Sequence, residues 1–248
     1  MKKALLLPLT LVILSCTSQT GEQSSSNEAN PVEATTQGKE EQELPSLKYT
    51  IEQATEEDFS KAAAKHITGF SMGKYEARKV NGVINLKING EWKPIEAFTD
   101  TLLNTDDPDI REYKYLGQNK DLNKYLVAGS FYEDYQTYLV DMTTGEVAAT
   151  TWTEPVVSPD KKHLANISIP TVMEPSPNGI QVWNVVEQGE GKGIEKYLEI
   201  EQQDWEPFEM RWESSQAIIM KVIPMEKYEL LQGEPKQKDF AYLRLIVK

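Results

Sequence analysis

Short runs of alternating apolar and polar residues dominate the chain from residue 47 onward, a pattern typical of β-strands. Residues 83–88 alternate, Asn89 and Gly90 suit the positive φ angles of a type I′ turn, and residues 91–95 return, which predicts a β-hairpin. Residues 138–141 and 146–149 predict a second hairpin. Further strands are predicted near residues 124–128, 164–169, 180–186, 197–200, 217–223 and 240–247. The strands do not alternate with helices, which disfavours a doubly wound or barrel enzyme fold.

One short N-terminal helix is predicted ahead of these strands. Thr55 precedes Glu56, Glu57 and Asp58, and helix-forming residues such as Ala62 follow. A capping hydroxyl with acidic groups in the first turn is typical of a helix start. We therefore expect a helix over about residues 55–66, and then a mainly β fold of antiparallel meanders.

Residues 17–46 differ in composition from the rest of the chain. They contain no aromatic residue, and Val32 and Leu44 are their only large aliphatic side chains. Such a segment cannot bury enough apolar surface to offset the entropy lost on ordering. It predicts a disordered tether that spans roughly 30 Å as a coil, followed by a β-rich domain over residues 47–248.

Residues 1–15 have the pattern of a signal peptide. Lys2 and Lys3 precede an apolar run over residues 4–14. As a helix this run measures about 16 Å, roughly half of the ~30 Å hydrocarbon core of a bilayer. The segment therefore predicts export rather than a membrane span.

The end of this segment, Ile13-Leu14-Ser15-Cys16, resembles the lipobox of bacterial lipoproteins. It has an aliphatic residue three positions before the cysteine, a small residue directly before it, and the only cysteine of the chain. The resemblance implies cleavage before Cys16, a thiol linked to diacylglycerol, and an amino terminus acylated with a fatty acid such as palmitate. It implies a cell-envelope protein anchored to a membrane by lipid, facing the periplasm or the cell surface. An ordinary secretory peptide with an incidental cysteine is the alternative.

Charge and composition narrow the range of partners. The chain has 26 Lys and Arg against 39 Asp and Glu, a net charge of −13, so a phosphate backbone would be repelled. One cysteine and two histidines exclude an intramolecular disulfide and a zinc site built from Cys and His alone. We therefore expect no nucleic-acid partner, no resident metal and no cofactor.

The strands of the second half recur with a period. The segment Ser158-Pro159-Asp160 with its flanking residues resembles the turn between the first two strands of a blade in Tol-type and WD40-like β-propellers, and Trp212-Glu213-Ser214-Ser215 resembles the next such turn. In these turns Pro159 fixes φ, and Asp160 or Ser215 is expected to bind backbone amides. Lys161 stands where the propeller turn usually has Gly.

This resemblance covers about residues 113–247 and implies about three to four propeller-like units. Either the hairpin at residues 83–95 completes a fourth blade, or the units form an open stack of meanders. The same region resembles a group of uncharacterised secreted bacterial proteins, and that resemblance implies no activity. It is carried by Tyr132, Thr144-Gly145, Ser158-Pro159-Asp160, Pro177-Asn178-Gly179 and Trp183.

The segment Gly69-Phe70-Ser71-Met72-Gly73 matches the nucleophile elbow of α/β-hydrolases, with His163 downstream and Asp100 or Asp141 as the acid. The elbow needs a strand before the serine and a helix after it. Here a predicted helix precedes Ser71 and hairpins follow, so we interpret the segment as a connector and assign no catalytic residue.

Four other groups of residues are candidate sites. The loop at residues 104–109 clusters oxygen ligands but lacks the Gly and Glu of an EF-hand, so we expect a solvated acidic loop. The glycine-rich residues 189–193 lack the spacing of a phosphate loop and predict a hairpin tip. His66 and His163 are isolated and predict no metal site. A set of aromatic side chains could pave a surface for a protein or glycan ligand, although cross-strand packing explains them equally well: Tyr113, Tyr115, Tyr125, Phe131, Tyr132, Tyr135, Tyr138 and Trp152.

Taken together, these features favour a lipid-anchored, non-catalytic β module that binds a ligand or serves the envelope structurally. A carbohydrate-active or hydrolytic enzyme is the first alternative, and a small-ligand or metal sensor is the second.

Overall fold

The computed structural model describes residues 48–63, 69–73, 76–168, 177–189 and 191–248, and it shows four antiparallel sheets. The prediction of a mainly β fold built from meanders, with a short helix near the start, is confirmed. The chain enters through strand β1 (Tyr49–Gln53) and helix α1 (Glu56–Ala63). The last three residues of the predicted helix, 64–66, lie outside the described residues. No helix in the described part of the chain is long and apolar enough to cross a membrane.

The first sheet has three strands, and it contains the hairpin predicted from Asn89 and Gly90. Its strands are β2 (Ala77–Val80), β3 (Val83–Ile88) and β4 (Glu91–Thr99). Asn89 and Gly90 have φ angles of 51° and 83°, as a type I′ turn requires. The predicted hairpin is therefore confirmed, with a longer second strand than the sequence pattern indicated.

The second and third sheets each have four strands in the order of the chain. The second sheet contains β5 (Arg111–Asn119), β6 (Lys124–Phe131), β7 (Tyr135–Asp141) and β8 (Val147–Thr151). The third sheet contains β9 (Val156–Val157), β10 (His163–Ile167), β11 (Gly179–Gln188) and β12 (Gly191–Glu201). Because neighbouring strands in each sheet are also neighbours in sequence, each is a meander.

The fourth sheet joins the two ends of the described chain. It contains β13 (Trp205–Trp212), β14 (Ala217–Pro224) and β15 (Ala241–Val247), and β1 pairs with β15 from Tyr49 opposite Val247 to Gln53 opposite Leu243. The short helix α2 (Met225–Tyr228) and the 3₁₀ turn η1 (Gln237–Asp239) lie between β14 and β15. The residues directly after the predicted tether therefore complete the last sheet.

Apolar side chains between successive sheets form three clusters. Leu86 and Val127 belong to the cluster between the first and second sheets, Leu139 and Leu164 to the next, and Val182 with Met220 to the last. Each sheet therefore buries at least one face against its neighbour in the chain.

Helix α1 covers the face of the fourth sheet that points away from the third. Phe59 packs against Ile219 and Tyr242, and the Arg211 guanidinium lies 3.9 Å from the centre of the Phe59 ring. Arg211 also donates a hydrogen bond to the Phe59 carbonyl at 3.1 Å. A closed ring would need this face for the first sheet, so the helix favours the open stack over a closed propeller.

The turn over residues 158–162 joins β9 and β10, as the propeller resemblance implied. Asp160 Oδ1 accepts hydrogen bonds from the Ser158 hydroxyl at 2.7 Å and the Lys162 amide at 3.1 Å, and the His163 amide donates to Ser158 Oγ at 2.9 Å. Lys161 has a φ of 61°, in the left-handed region that glycine occupies readily. Lys161 therefore differs from the propeller pattern in residue type but has a positive φ angle, as a glycine at this position would.

The equivalent turn of the fourth sheet differs from the expectation for Ser215. The hydroxyl of Ser214, not that of Ser215, accepts a hydrogen bond from the Gln216 amide at 3.3 Å. Within the described residues Ser215 makes no side-chain hydrogen bond. The two turns therefore share a position in the sheet but not a bonding pattern.

This difference predicts unequal effects of two matched substitutions. Asp160→Ala removes two hydrogen bonds of a charged acceptor and should lower the free energy of unfolding by about 1.5–3 kcal/mol. Ser215→Ala should change it by less than about 0.5 kcal/mol. Urea denaturation of both variants measures the difference, and equal losses would show that the hydrogen bonds of Asp160 do not stabilise the turn.

Candidate functional site

Ser71 lies in the connector between α1 and β2, as predicted. Its amide donates to the Gln118 carbonyl at 2.9 Å, and its carbonyl accepts from the Gln118 amide at 2.9 Å, so its backbone pairs with the edge of β5. Its side chain is exposed. Among the described contacts, the Ser71 hydroxyl has no hydrogen bond to His163.

The other members of the hydrolase motif have separate structural partners. His163 Nδ1 lies 3.0 Å from Asn184 Oδ1, and its ring stacks on Trp212. Asp100 bonds to Lys79 at 2.5 Å and accepts from the Tyr113 amide. The structure therefore does not bring Ser71, His163 and an acid together. His66 lies outside the described residues.

The acidic loop at residues 104–109 is exposed, and a few local hydrogen bonds shape it. Thr105 Oγ1 donates to the Leu102 carbonyl at 2.7 Å, and the Asp109 amide donates to Asp107 Oδ1 at 2.9 Å. Over the ranges that the structure describes, no three His, Cys, Asp or Glu side chains come close enough to hold a metal ion. The glycine-rich segment connects β11 to β12, which confirms the predicted hairpin tip.

Most of the aromatic set packs between sheets rather than forming a surface. Tyr113 and Tyr125 are buried, and Tyr113 packs against Phe98 and Phe131 between the first two sheets. Tyr135 is half-buried and donates to Glu154. Tyr132 is 50% exposed and is the only member of the set among the exposed large hydrophobic residues of the described chain. The set therefore forms core contacts and not a continuous ligand surface.

A cleft lies between the second and third sheets, where β8 and the start of β12 face each other. Its volume is about 610 Å³. Its walls come from the β7–β8 turn on one side and the β11–β12 hairpin on the other. It is lined by Asn123, Lys124, Asp141, Thr143, Thr144, Glu146, Val147, Ala148, Gln188, Gly191, Lys192, Ile194 and Glu195.

A buried ion pair lies against this cleft. The Lys124 side chain is 1% exposed and that of Asp141 is 17% exposed, and Nζ lies 2.7 Å from Asp141 Oδ2. The Lys124 ammonium also donates to the Lys192 carbonyl at 2.6 Å. Because Lys124 belongs to the second sheet and Lys192 to the third, this lysine links the two walls of the cleft.

Asp141 is held in its ionised form. Burial alone would raise its pKa, but hydrogen bonds from Lys124 and from the amides of Thr144 and Thr143 outweigh burial and hold the pKa below the usual value. Both amides donate to Oδ1, that of Thr143 at 2.8 Å and that of Thr144 at 3.0 Å. The carboxylate therefore has acceptor contacts on both oxygens, and the ion pair leaves the floor of the cleft without net charge.

A second cleft of about 370 Å³ lies beside the first, between the first and second sheets. The two clefts share Asn123 and Thr143, and Asn123 Nδ2 donates to Thr143 Oγ1 at 2.9 Å. This hydrogen bond forms the divider between the clefts. At this end of the first three sheets, polar side chains therefore line two neighbouring clefts.

Sequence reasoning missed Lys124, although a signal for it was present. Residues 124–128 and 138–141 were both predicted as strands, and Lys124 and Asp141 are opposite each other in the β6–β7 pair. Opposite charges at facing positions indicate a cross-strand ion pair. Its burial depends on the third sheet, which no local pattern in the second sheet reveals.

Comparison with known proteins gives no match to a family model, to a curated protein or to a solved structure. The chemistry of the clefts is therefore the basis for any functional assignment.

The buried ion pair predicts a specific loss of stability. Asp141→Asn leaves the Lys124 ammonium buried without a counter-ion and should lower the free energy of unfolding by about 3 kcal/mol at pH 7. Glu57→Gln, in the exposed pair with Lys61, should lower it by less than about 0.5 kcal/mol. Denaturant unfolding of both variants provides the comparison.

The pH dependence has a defined sign. Because the pKa of folded Asp141 lies below the unfolded value, its contribution is present above about pH 4 and is lost as pH falls through the folded pKa. The difference in stability between wild type and Asp141→Asn should therefore narrow below pH 4. A difference that stays constant down to pH 2 would contradict the ion pair.

Proposed function

We propose that this chain is a lipid-anchored protein of the bacterial cell envelope whose β domain is a non-catalytic binding or structural module. Cys16 would carry the lipid, and residues 17–46 would separate the domain from the membrane. Cys16 and the tether lie outside the described residues, so this part of the proposal is supported by the lipobox resemblance and by the composition of the tether alone.

The observation that carries the proposal for the domain is the chemistry of the cleft between β8 and β12. Lys124 and Asp141 bind each other, so neither is available as a base or a nucleophile. The Thr143 hydroxyl contacts the Asn123 amide, which cannot remove its proton. Glu146 and Glu195 also line the cleft, and among its described contacts no hydroxyl lies against a base, which supports binding rather than nucleophilic catalysis by a hydroxyl.

The place at which the described domain begins is consistent with a presented module. The Lys248 amide donates to the Lys48 carbonyl at 2.9 Å, so the two ends of the domain lie together beside the fourth sheet. The cleft is formed by the second and third sheets instead. The point of attachment therefore lies on a different sheet from those that form the cleft.

The anchor is tested by removing the acylated residue. Cys16→Ala should move the full-length chain from the membrane fraction to the soluble envelope fraction, because a chain with two or more acyl groups is held far more firmly than one without. Immunoblotting of fractions after washing without detergent measures this. Ser15→Ala, which keeps a small residue before the cysteine, serves as the control and should remain in the membrane fraction.

The binding function is tested on the released variant. Full-length Cys16→Ala protein should sediment with lipid-free envelope polymers isolated from the cells that make it. Loss of membrane attachment without any retention on these polymers would contradict the binding module, and membrane attachment that survives the substitution would contradict the lipid anchor.

A further inference from the structure

We propose that the cleft between β8 and β12 binds a sugar residue, which it recognises through the sugar's hydroxyl groups. This inference rests on the proposed binding function and names its ligand class. Three features of the cleft carry it: its size, the balance of its hydrogen-bonding groups, and an apolar wall.

The size of the cleft suits a small ring or the end of a polymer. Its volume of about 610 Å³ lies within the range of roughly 300–1,000 Å³ typical of sites for small molecules. Two separate sheets supply its walls, and Lys124 fixes them to each other through the Lys192 carbonyl. The site is therefore built on strands and tight turns, which hold its groups in place.

Hydrogen-bond donors are concentrated at the floor. An ammonium group has three N–H bonds, and two of those on Lys124 are used by Asp141 and the Lys192 carbonyl. The hydroxyl oxygens of Thr143 and Thr144 accept from Asn123 Nδ2 and the Glu146 amide, which leaves each hydroxyl proton free to donate. Thr143 and Thr144 are exposed, so both hydroxyl protons can donate to the oxygen atoms of a ligand that displaces solvent, whereas the Lys124 ammonium is buried.

Acceptors border the same cleft. Glu146 is exposed and has no ion-pair partner in the described part of the chain, and Asn123 contributes a side-chain carbonyl. An anionic ligand would satisfy the floor but meet the Glu146 carboxylate. A cation would suit Glu146 but leave the donors of the floor unpaired. A hydroxyl group both donates and accepts, so a polyhydroxylated ligand satisfies both sets.

Part of the remaining lining is apolar and complements the C–H face of a sugar ring. Val147, Ala148 and Ile194 contribute aliphatic groups beside the polar floor. Val147 is 43% exposed, so contact with a ligand would remove apolar surface from water. The cleft therefore offers both kinds of surface that a neutral sugar presents.

The test uses the full-length Cys16→Ala chain titrated with glucose, galactose, mannose and N-acetylglucosamine, with amide chemical shifts as the readout. At least one sugar should give saturable shifts at residues of the β7–β8 turn and the β11–β12 hairpin. Thr143→Val should weaken binding about tenfold, because it removes one hydroxyl donor at nearly constant shape.

A second variant blocks the cleft without straining the backbone. A Cβ atom at Gly191 would meet only the Gln188 carbonyl oxygen, at an ordinary contact distance of 3.8 Å, so Gly191→Leu adds a side chain at the cleft wall. It should abolish saturable binding and leave the melting temperature unchanged. Thr150→Val, on the exposed side of β8, is the matched control and should bind as the parent does.

The outcomes separate this inference from the proposed function. Sugar binding that survives both Thr143→Val and Gly191→Leu would overturn the cleft assignment. Absence of binding for all four sugars, in a protein that still sediments with envelope polymers, would overturn the sugar inference while leaving the binding module intact. Loss of both activities would overturn the two together.

Discussion

The structure depends on face-to-face packing between sheets that are too small to be stable by themselves. Three or four antiparallel strands become stable when an apolar face is covered by another element. The clusters around Leu86, Leu139 and Val182 provide this cover between successive sheets, and Phe59 of α1 provides it at the end of the fourth sheet. Each sheet therefore relies on its neighbours for burial.

The pairing of β1 with β15 extends the same dependence to the start of the domain. β1 has mostly exposed side chains, so backbone hydrogen bonds to β15 hold it in place more than apolar burial does. Through this strand, the proposed tether would be attached directly to the sheet that contains the C-terminal strand. The first strand of the described domain is thus part of a sheet.

Polar groups buried between the second and third sheets need partners, because unpaired polar groups in an apolar interface are costly. At one end of the interface, Lys124 forms an ion pair with Asp141. At another position Thr137 and Thr151 bond to each other, and Gln181 bonds to Asn166 and Glu199. Two further contacts of these groups cross from one sheet to the other: Lys124 donates to the Lys192 carbonyl, and the Trp152 amide donates to Gln181 Oε1 at 3.2 Å.

Buried Asn166 also bears on a motif in the sequence. Asn166-Ile167-Ser168 has the form of a glycosylation sequon, but the Asn166 side chain is buried and its amide donates to Gln181 at 3.1 Å. The segment is a strand of the third sheet, and its polar residues serve packing. The burial of Asn166 in the fold therefore decides how this sequence motif is interpreted.

Elements with a local physical cause were predictable from the sequence. The turn at Asn89 and Gly90, the alternation over 83–88 and the position of the turn at residues 158–162 all follow from neighbouring residues. β1 was not predicted, because its five residues gain their structure from pairing with a strand about 190 positions away. The cleft was not predicted for the same reason, since Lys124 and Lys192 meet only after two sheets have stacked.

Native-state amide hydrogen exchange across the four sheets tests most directly whether the sheets support one another. If the sheets support one another, the slowest amides of β3, β6, β11 and β14 should exchange through openings of similar free energy, within about 1 kcal/mol. If the opening free energies of β3 or β14 lie several kcal/mol below those of β6 and β11, the sheets unfold separately. That result would contradict the mutual support between sheets on which the cleft depends.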